Sequence, residues 1–271
     1  MSRPDAAFTA ILLAGQRAGR TDALVEEAGV ANKNLVPLCG KPLARHVAEA
    51  LAATPGLTRL RVVVEPETMP AMAAALAGCR AVVEFAPAAD NLADSVYAAA
   101  EGVDGPMLIT TADNVLLTPG AVSEILDALA GGADVALAMA TEAAVKTAHP
   151  DGQRRFYRFA DAAYSNCNLY ALAGPKALAA AESFRSGGQF AKKPLRMVMA
   201  LGPVNLALML MARLTLRGAL TRVSRRFGLK VEPVILADGS HAIDVDNART
   251  YACAETILRR RQATAVAAAA A

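Results

Sequence analysis

The run FTAILL at positions 8–13 breaks directly into AGQRAGR at 14–20, and this step constrains the chain more than any other. A strand that ends in glycines and arginines is a place to hold phosphate. Backbone N–H groups approach an anion closely where Gly15 and Gly19 carry no side chain, and arginines add charge-assisted hydrogen bonds. A second signal, NKNLVPLCGKPLARHV at 32–47, brings Lys33 and Lys41 nearby in sequence. Its Gly-Lys-Pro turn leads into an amphipathic helix over about 43–52.

Beyond this point apolar runs alternate with helical patterns. Strands are predicted at 8–13, 60–64, 81–85, 107–111 and 135–140, with helices near 43–52, 68–77, 92–101 and 120–130. Such alternation predicts βαβ units and an α/β fold with a mostly parallel sheet. Ligands of such sheets sit beyond the carboxyl ends of the strands, so the loops after Leu13 and Thr111 share one rim.

The pattern changes after about residue 141. A polar stretch, TEAAVKTAHPDGQRRFYRF, ends in alternating residues able to form a hairpin with 163–171. Arg154, Arg155 and Arg158, interleaved with Phe156, Tyr157 and Phe159, would alternate on its first strand, reaching an acceptor phosphate or lying on a solvated sheet face. VEPVIL at 231–236 reads as a strand, about 248–261 as a last helix, and the tail 262–271 as a fraying, low-complexity end. With no internal repeat or flexible linker, 1–261 reads as one domain with an added C-terminal helical portion.

Composition narrows the function classes. Aromatic residues make up 4% of the 271, without Trp, which argues against nucleic acid stacked on an aromatic surface. The four cysteines are scattered and the three histidines do not cluster, so a zinc site has little support. Scattered thiols without a secretory signal fit a reducing cytoplasm. One region stands apart: from Phe184 to Val231 there are ten Lys and Arg and no Asp or Glu. Within it, sixteen uncharged residues, Met197–Ala212, fall short of the ~18–20 that span a bilayer. Segment 184–231 suits a core helix, a lid over the acceptor, a homodimer face, or a peripheral contact with anionic lipid at the inner membrane face.

Two acidic sites are candidates for chemistry. Asp113 follows the strand 107–111 on the ligand rim, where a divalent cation could be held beside phosphates. An Asx turn or a helix cap explains the same spacing equally well. Asp244 and Asp246 alternate with apolar residues in HAIDVDN, so on an extended segment both carboxylates point the same way. Such a pair binds Mg²⁺ well, although an exposed edge followed by a capped helix reads the same.

Taken together, LAGQ, the loop arginine Arg20, Lys33 and the Leu-x-Pro and Gly-Lys-Pro steps resemble the molybdenum-cofactor guanylyltransferase-like (MobA-like) NTP transferases. Gln16 stands where that family usually has a second glycine, and Asn114-Val115 replaces its usual x-Pro after Asp113. The resemblance covers the first 115 residues well and 240–257 fairly. It implies a three-layer Rossmann-like nucleotidyltransferase fold and a Mg²⁺-dependent transfer of NMP from an NTP to a phosphorylated small-molecule or lipid-like acceptor. It further implies nucleotide contacts from Leu13, Ala14, Gly15, Gln16, Arg20 and Lys33, with Asn91 and Ser95 on the base side, where helix capping is the plain alternative. Asp113 with Asp246 or Asp244 would hold the metal, Asp246 being the first choice. Asn166 and Asn168, with Arg155, would meet the acceptor.

Three rivals remain: a nucleotide-sugar glycosyltransferase of related fold, a dinucleotide-binding oxidoreductase, and a non-catalytic nucleotide-binding or membrane-associated module. The oxidoreductase needs an acid ~20 residues past its glycines. The next strand-end acid here, Glu65, lies about fifty residues past Gly15.

Overall fold

A computed structural model describes residues 7–16, 23–184 and 213–270. β1 (Phe8–Leu13) is followed by α1 (Ala23–Ala28) and a small hairpin, β2 (Pro37–Leu38) and β3 (Lys41–Pro42). Next come α2 (Leu43–Ala52), β4 (Leu57–Val64), α3 (Met69–Leu76), β5 (Val83–Pro87), α4 (Leu92–Ala100) and β6 (Met107–Thr111). The chain continues through α5 (Pro119–Ala130), β7 (Val135–Thr141), α6 (Glu142–Ala148), β8 (Tyr157–Arg158), β9 (Ala163–Leu172) and a 3₁₀ segment, Pro175–Phe184. The described C-terminal part holds α7 (Leu216–Phe227), β10 (Val231–Ile235) and α8 (Ala248–Ala270).

The main sheet runs in the order β10-β7-β9-β6-β1-β4-β5, with β8 paired to β9. Every pairing on that path is parallel except those of β9 with β6 and β7. Strand alternation sends Ala10 and Leu12 into one apolar layer and Ile11 into the other. The first layer packs α2, α3, α5 and α8, through Leu51, Met72, Ile125 and Leu258 among others. The second packs α4, the 3₁₀ segment and α7, through Val96, Ala181 and Leu220. A three-layer α/β sandwich results.

The predicted parallel strands and the helices between them are all present, as is the hairpin with 163–171. Departures have physical causes. Arg154 and Arg155 do not alternate on a strand, because β8 has only two residues; both arginines are exposed in the preceding loop. The HAIDVDN segment is not extended. It leaves a 3₁₀ turn at Gly239–Ala242 and folds tightly, the Asp246 N–H donating to the Asp244 carbonyl at 3.0 Å. The polar stretch after residue 141 hides α6, capped by the Thr141 hydroxyl accepting the Ala144 N–H. The tail is helical through Ala270, consistent with alanine's high helix propensity, and residues 262–268 are exposed.

The acid-free segment is described only from Arg213 onward, and its residues 185–212 lie outside the described residues. α7 starts on the Thr215 cap and ends at Gly228, whose φ of +63° closes the helix. Its apolar side, with Leu216, Leu220 and Val223, packs on the sheet layers, while Arg217, Arg222, Arg225 and Arg226 are exposed. Among the described residues no helix is long and apolar enough to cross a membrane.

Candidate functional site

The carboxyl ends of β1 and β6 lie side by side, and β9, running the other way, brings Asn168 alongside them. Three local devices build a site there.

The first is a clamp of asparagines. Asn32 caps the 3₁₀ turn Lys33–Leu35, its Oδ1 accepting the Asn34 N–H at 2.8 Å. Both amides then donate to the Ala14 carbonyl, Asn32 at 3.1 Å and Asn34 at 2.7 Å. Both residues are buried, so the loop after β1 and the turn bearing Lys33 are fastened together by satisfied polar groups.

The second is Asn114. Fully buried, it donates from Nδ2 to Thr110 Oγ1 at 3.3 Å and to the Cys167 carbonyl at 3.0 Å. That ties the turn after β6 to β9 and fixes Asp113 beside it. The Asp113 carbonyl accepts the Val245 N–H at 3.0 Å, which laces the 244–246 segment to the same turn.

The third is a bulge. The β7–β9 pairing slips between Leu137 and Met139, and Asn168 adopts a left-handed φ of +47° opposite that slip. Bulges and left-handed residues re-aim side chains near functional sites. Here Asn168 Nδ2 donates to Asp244 Oδ2 at 2.6 Å.

Lys33 Nζ sits 2.6 Å from Asp113 Oδ2 and 3.5 Å from Asp246 Oδ1. Burial opposes its charge, but Asp113 above all, with Asp246 and Asp244, holds the ammonium above the ordinary lysine range. Asp244 is the opposite case. Burial, then the charges of Asp113 and Asp246, push its carboxyl well above the usual range, against Lys33 and the Asn168 hydrogen bond. Among the described residues, three carboxyl groups thus surround one ammonium. Asp113 Oδ1, Asp244 Oδ1 and Thr111 Oγ1 are buried and accept no hydrogen bond among the described residues. Buried, under-neutralised, all-oxygen donors match a hard divalent cation.

A model of the MobA-like NTP transferase domain matches residues 10–263. The chain belongs to that family. A hypothetical transferase from Thermus thermophilus is 27% identical over 90% of this chain and 99% of its own, with a TM-score of 0.69. The 4-diphosphocytidyl-2C-methyl-D-erythritol synthase of Anaerococcus prevotii superposes with a TM-score of 0.58 at 8% identity, covering 94% and 99%. A CMP:2-keto-3-deoxy-manno-octonic acid synthetase, solved with CTP, does so at 0.56 and 14%, covering 96% and 99%. The last two show the fold alone. No curated protein matches the sequence significantly. The chain is therefore a transferase of nucleotidyltransferase type.

Placed in this family, the other predicted residues divide sharply. Arg20 lies outside the described residues. Lys41 points to Glu49 at 2.6 Å, and its Cys39-Gly40 turn, both residues at positive φ, closes the β2–β3 hairpin. Asn91 caps α4 by accepting the Asp94 N–H, and Ser95 binds the Ala89 backbone, so both residues on the base side have structural partners. Asn166 joins Asn168 and the Tyr170 hydroxyl, continuing a polar chain from Asp244. Arg155 is exposed in the loop before β8. Sequence reasoning missed Asn32 and Asn34, although NKN flanks the lysine it singled out. It also assigned no ligand role to Glu65, whose carboxylate accepts the Gln16 N–H at 2.5 Å. Gln16 is thus held by an internal anion.

Proposed function

We propose that this protein transfers a nucleotidyl group from an NTP to a phosphorylated acceptor, releasing pyrophosphate. An oxygen of the acceptor phosphate forms the new bond to the α-phosphorus, and the bond to the β-phosphate's bridging oxygen breaks. The attacking oxygen already carries charge, so no general base is needed. Such transfers depend on positioning and charge neutralisation.

The observation that supports this reading is the set of orphaned carboxylate oxygens around Lys33, on the rim of a sheet whose family handles NTPs. Asp113 and Asp244 would hold Mg²⁺. Asp244 is favoured over Asp246, because its Oδ1 is buried and its Oδ2 is fixed by Asn168, while the Asp246 side chain is 67% exposed. Among the described residues no group of three or more His, Cys, Asp or Glu forms a ready cation cage. That suits Mg²⁺, which takes one or two carboxylates and completes its shell with phosphates and water. When bound, the ion neutralises phosphate charge as pyrophosphate departs. Lys33 has three donors, of which Asp113 takes one, leaving donors for a phosphate oxygen. Asn166 and Asn168 face the acceptor side, where the β9 bulge presents them.

Pyrophosphate release with each NTP and Mg²⁺, against a panel of phosphorylated acceptors, tests the reading. CTP is the first nucleotide to try, because a structural neighbour was solved with it. Acceptor-dependent release is the expected result. Transfer of a sugar from a nucleotide-sugar, with no pyrophosphate formed from any NTP, would replace it with the glycosyltransferase reading.

A further inference from the structure

Ala254, Ile257, Leu258 and Arg261 fall on one side of α8, at the i, i+3, i+4 and i+7 spacing of a core-facing stripe. The first three belong to the apolar layer, and the fourth is an arginine whose side chain is 31% exposed. A charge that ends such a stripe is costly unless it is paired. Arg261 is paired three times, with two segments far apart in sequence. Its Nη1 donates to the Leu116 carbonyl at 2.8 Å. Its Nη2 donates to Asp238 Oδ2 at 2.9 Å and to Ser240 Oγ at 2.7 Å. The neighbouring Arg259 is exposed and pairs within the helix with Glu255.

Both segments lead to the carboxyl groups of the proposed centre. Leu116 lies three residues past Asp113, and Ser240 lies four residues before Asp244. The two segments run past each other in opposite directions. At one end the Asp113 carbonyl accepts the Val245 N–H at 3.0 Å, and at the other Thr118 Oγ1 lies 3.5 Å from His241 Nε2. The backbone thus laces the end that carries the carboxyl groups, and the Arg261 fork laces the far end. The 3₁₀ turn between them has little room to slide. A Cβ on Gly239 would run into the backbone between Ala144 and Val145 of α6, and one on Gly152 into Ile243 Cδ1. A turn seated so closely on its neighbours passes a displacement at Ser240 on to Asp244.

Resting on the metal-side reading of Asp113 and Asp244 above, we propose that Arg261 is a positioning residue that sets the separation of those two carboxyl groups, and with it the affinity for the divalent cation. Its partners are Leu116, Asp238 and Ser240, so it acts through the segments that carry the two acids. The guanidinium suits this task as an ammonium does not. Its planar fork holds several acceptors in one geometry, whereas lysine offers a point charge on a flexible stem. Groups that orient a metal ligand from behind typically contribute roughly ten- to a hundred-fold to metal affinity.

Melting of the full chain, followed as free Mg²⁺ is raised from EDTA, tests this. The titration is run at a fixed concentration of whichever of CTP, GTP, ATP and UTP stabilises the wild type most. Arg261→Ala should raise the Mg²⁺ concentration for half of the full stabilisation by about ten-fold, with full stabilisation recovered at high Mg²⁺. Arg261→Lys, which keeps the charge and loses the fork, should raise it by about three-fold, and it carries the test if the alanine variant does not fold. Arg259→Ala, which loses only an exposed pair, should stay within about two-fold of wild type. A lower melting temperature in EDTA with an unchanged Mg²⁺ midpoint, in either Arg261 variant, would overturn the proposal and leave Arg261 as a brace for α8. Equal shifts from Arg259→Ala and Arg261→Ala would overturn it too. A wild type that no NTP stabilises with Mg²⁺ would overturn the transfer reading itself, and this inference with it.

Discussion

The two halves of the rim share one scaffold and differ in how their polar groups are satisfied. Around Asp113 and Asp244, one buried oxygen of each carboxyl group has no partner among the described residues, and the three acids there outnumber the one lysine. Around Asn91 and Ser95 the side chains make internal hydrogen bonds. Leaving a buried charge unsatisfied costs stability, so a fold retains such a group where a ligand completes it. The same residue types therefore carry different meanings: orphaned carboxylate oxygens mark the proposed transfer centre, and satisfied side chains mark the frame.

Substitution at the centre should break this contrast most severely. Asp113→Ala is expected to reduce turnover by at least ~100-fold, with the fold retained, because the group lies on a polar rim. Near-normal Mg²⁺-dependent pyrophosphate release in this variant would remove Asp113 from the centre. Lys33→Ala is expected to lose about 2–4 kcal/mol of transition-state stabilisation, read from kcat/KM. Lys41→Ala should change kcat/KM little, because its partner is the half-exposed Glu49 and surface pairs contribute about 0–1 kcal/mol. A larger effect at Lys41 than at Lys33 would move the triphosphate to the β2–β3 hairpin.

On the frame side, Asn91→Ala should lower stability by about 1 kcal/mol through loss of the α4 cap, as read by denaturant titration. Its kcat/KM should stay close to wild type. A loss of NTP affinity beyond the stability change would restore Asn91 as a base contact.

How far the sequence announces this arrangement depends on the range of each signal. The longer strands and helices of the first 140 residues were legible because period and turn residues are local properties, whereas the six-residue α1 and the two-residue strands β2 and β3 are too short to show a period. Asp113 and Lys33 were legible because each stands at a strand end or beside a motif. Asp244 was harder. Its burial comes from a turn after Ala242, and its fixing partner, Asn168, is 76 residues away on a bulge that no pattern declares. α6, with seven residues, is too short to show a period above its polar surroundings. Asn32 and Asn34 read as turn formers, and only the fold shows both amides on one carbonyl.

The smallest effect concerns α7. Its apolar side packs on the sheet, so any attraction to anionic membranes must come from its exposed arginines and fade with salt. Vesicle sedimentation at low salt should show binding to anionic but not neutral lipid, reduced by reversing Arg225 and Arg226, with NTP-induced thermal stabilisation retained. Absence of binding to anionic vesicles at low salt would leave this face as a solvated helix surface.

The most direct test of an under-neutralised, cation-seeking centre is the melting temperature of Asp244→Asn beside wild type, in EDTA and in Mg²⁺ with NTP. Replacing an acid whose ionised form is disfavoured there, while keeping its shape, should raise the metal-free melting temperature and abolish the stabilisation that Mg²⁺ with NTP gives the wild type. A variant less stable than wild type in EDTA, yet still stabilised by Mg²⁺ and NTP, would show that Asp244 serves the frame and that the centre lies elsewhere.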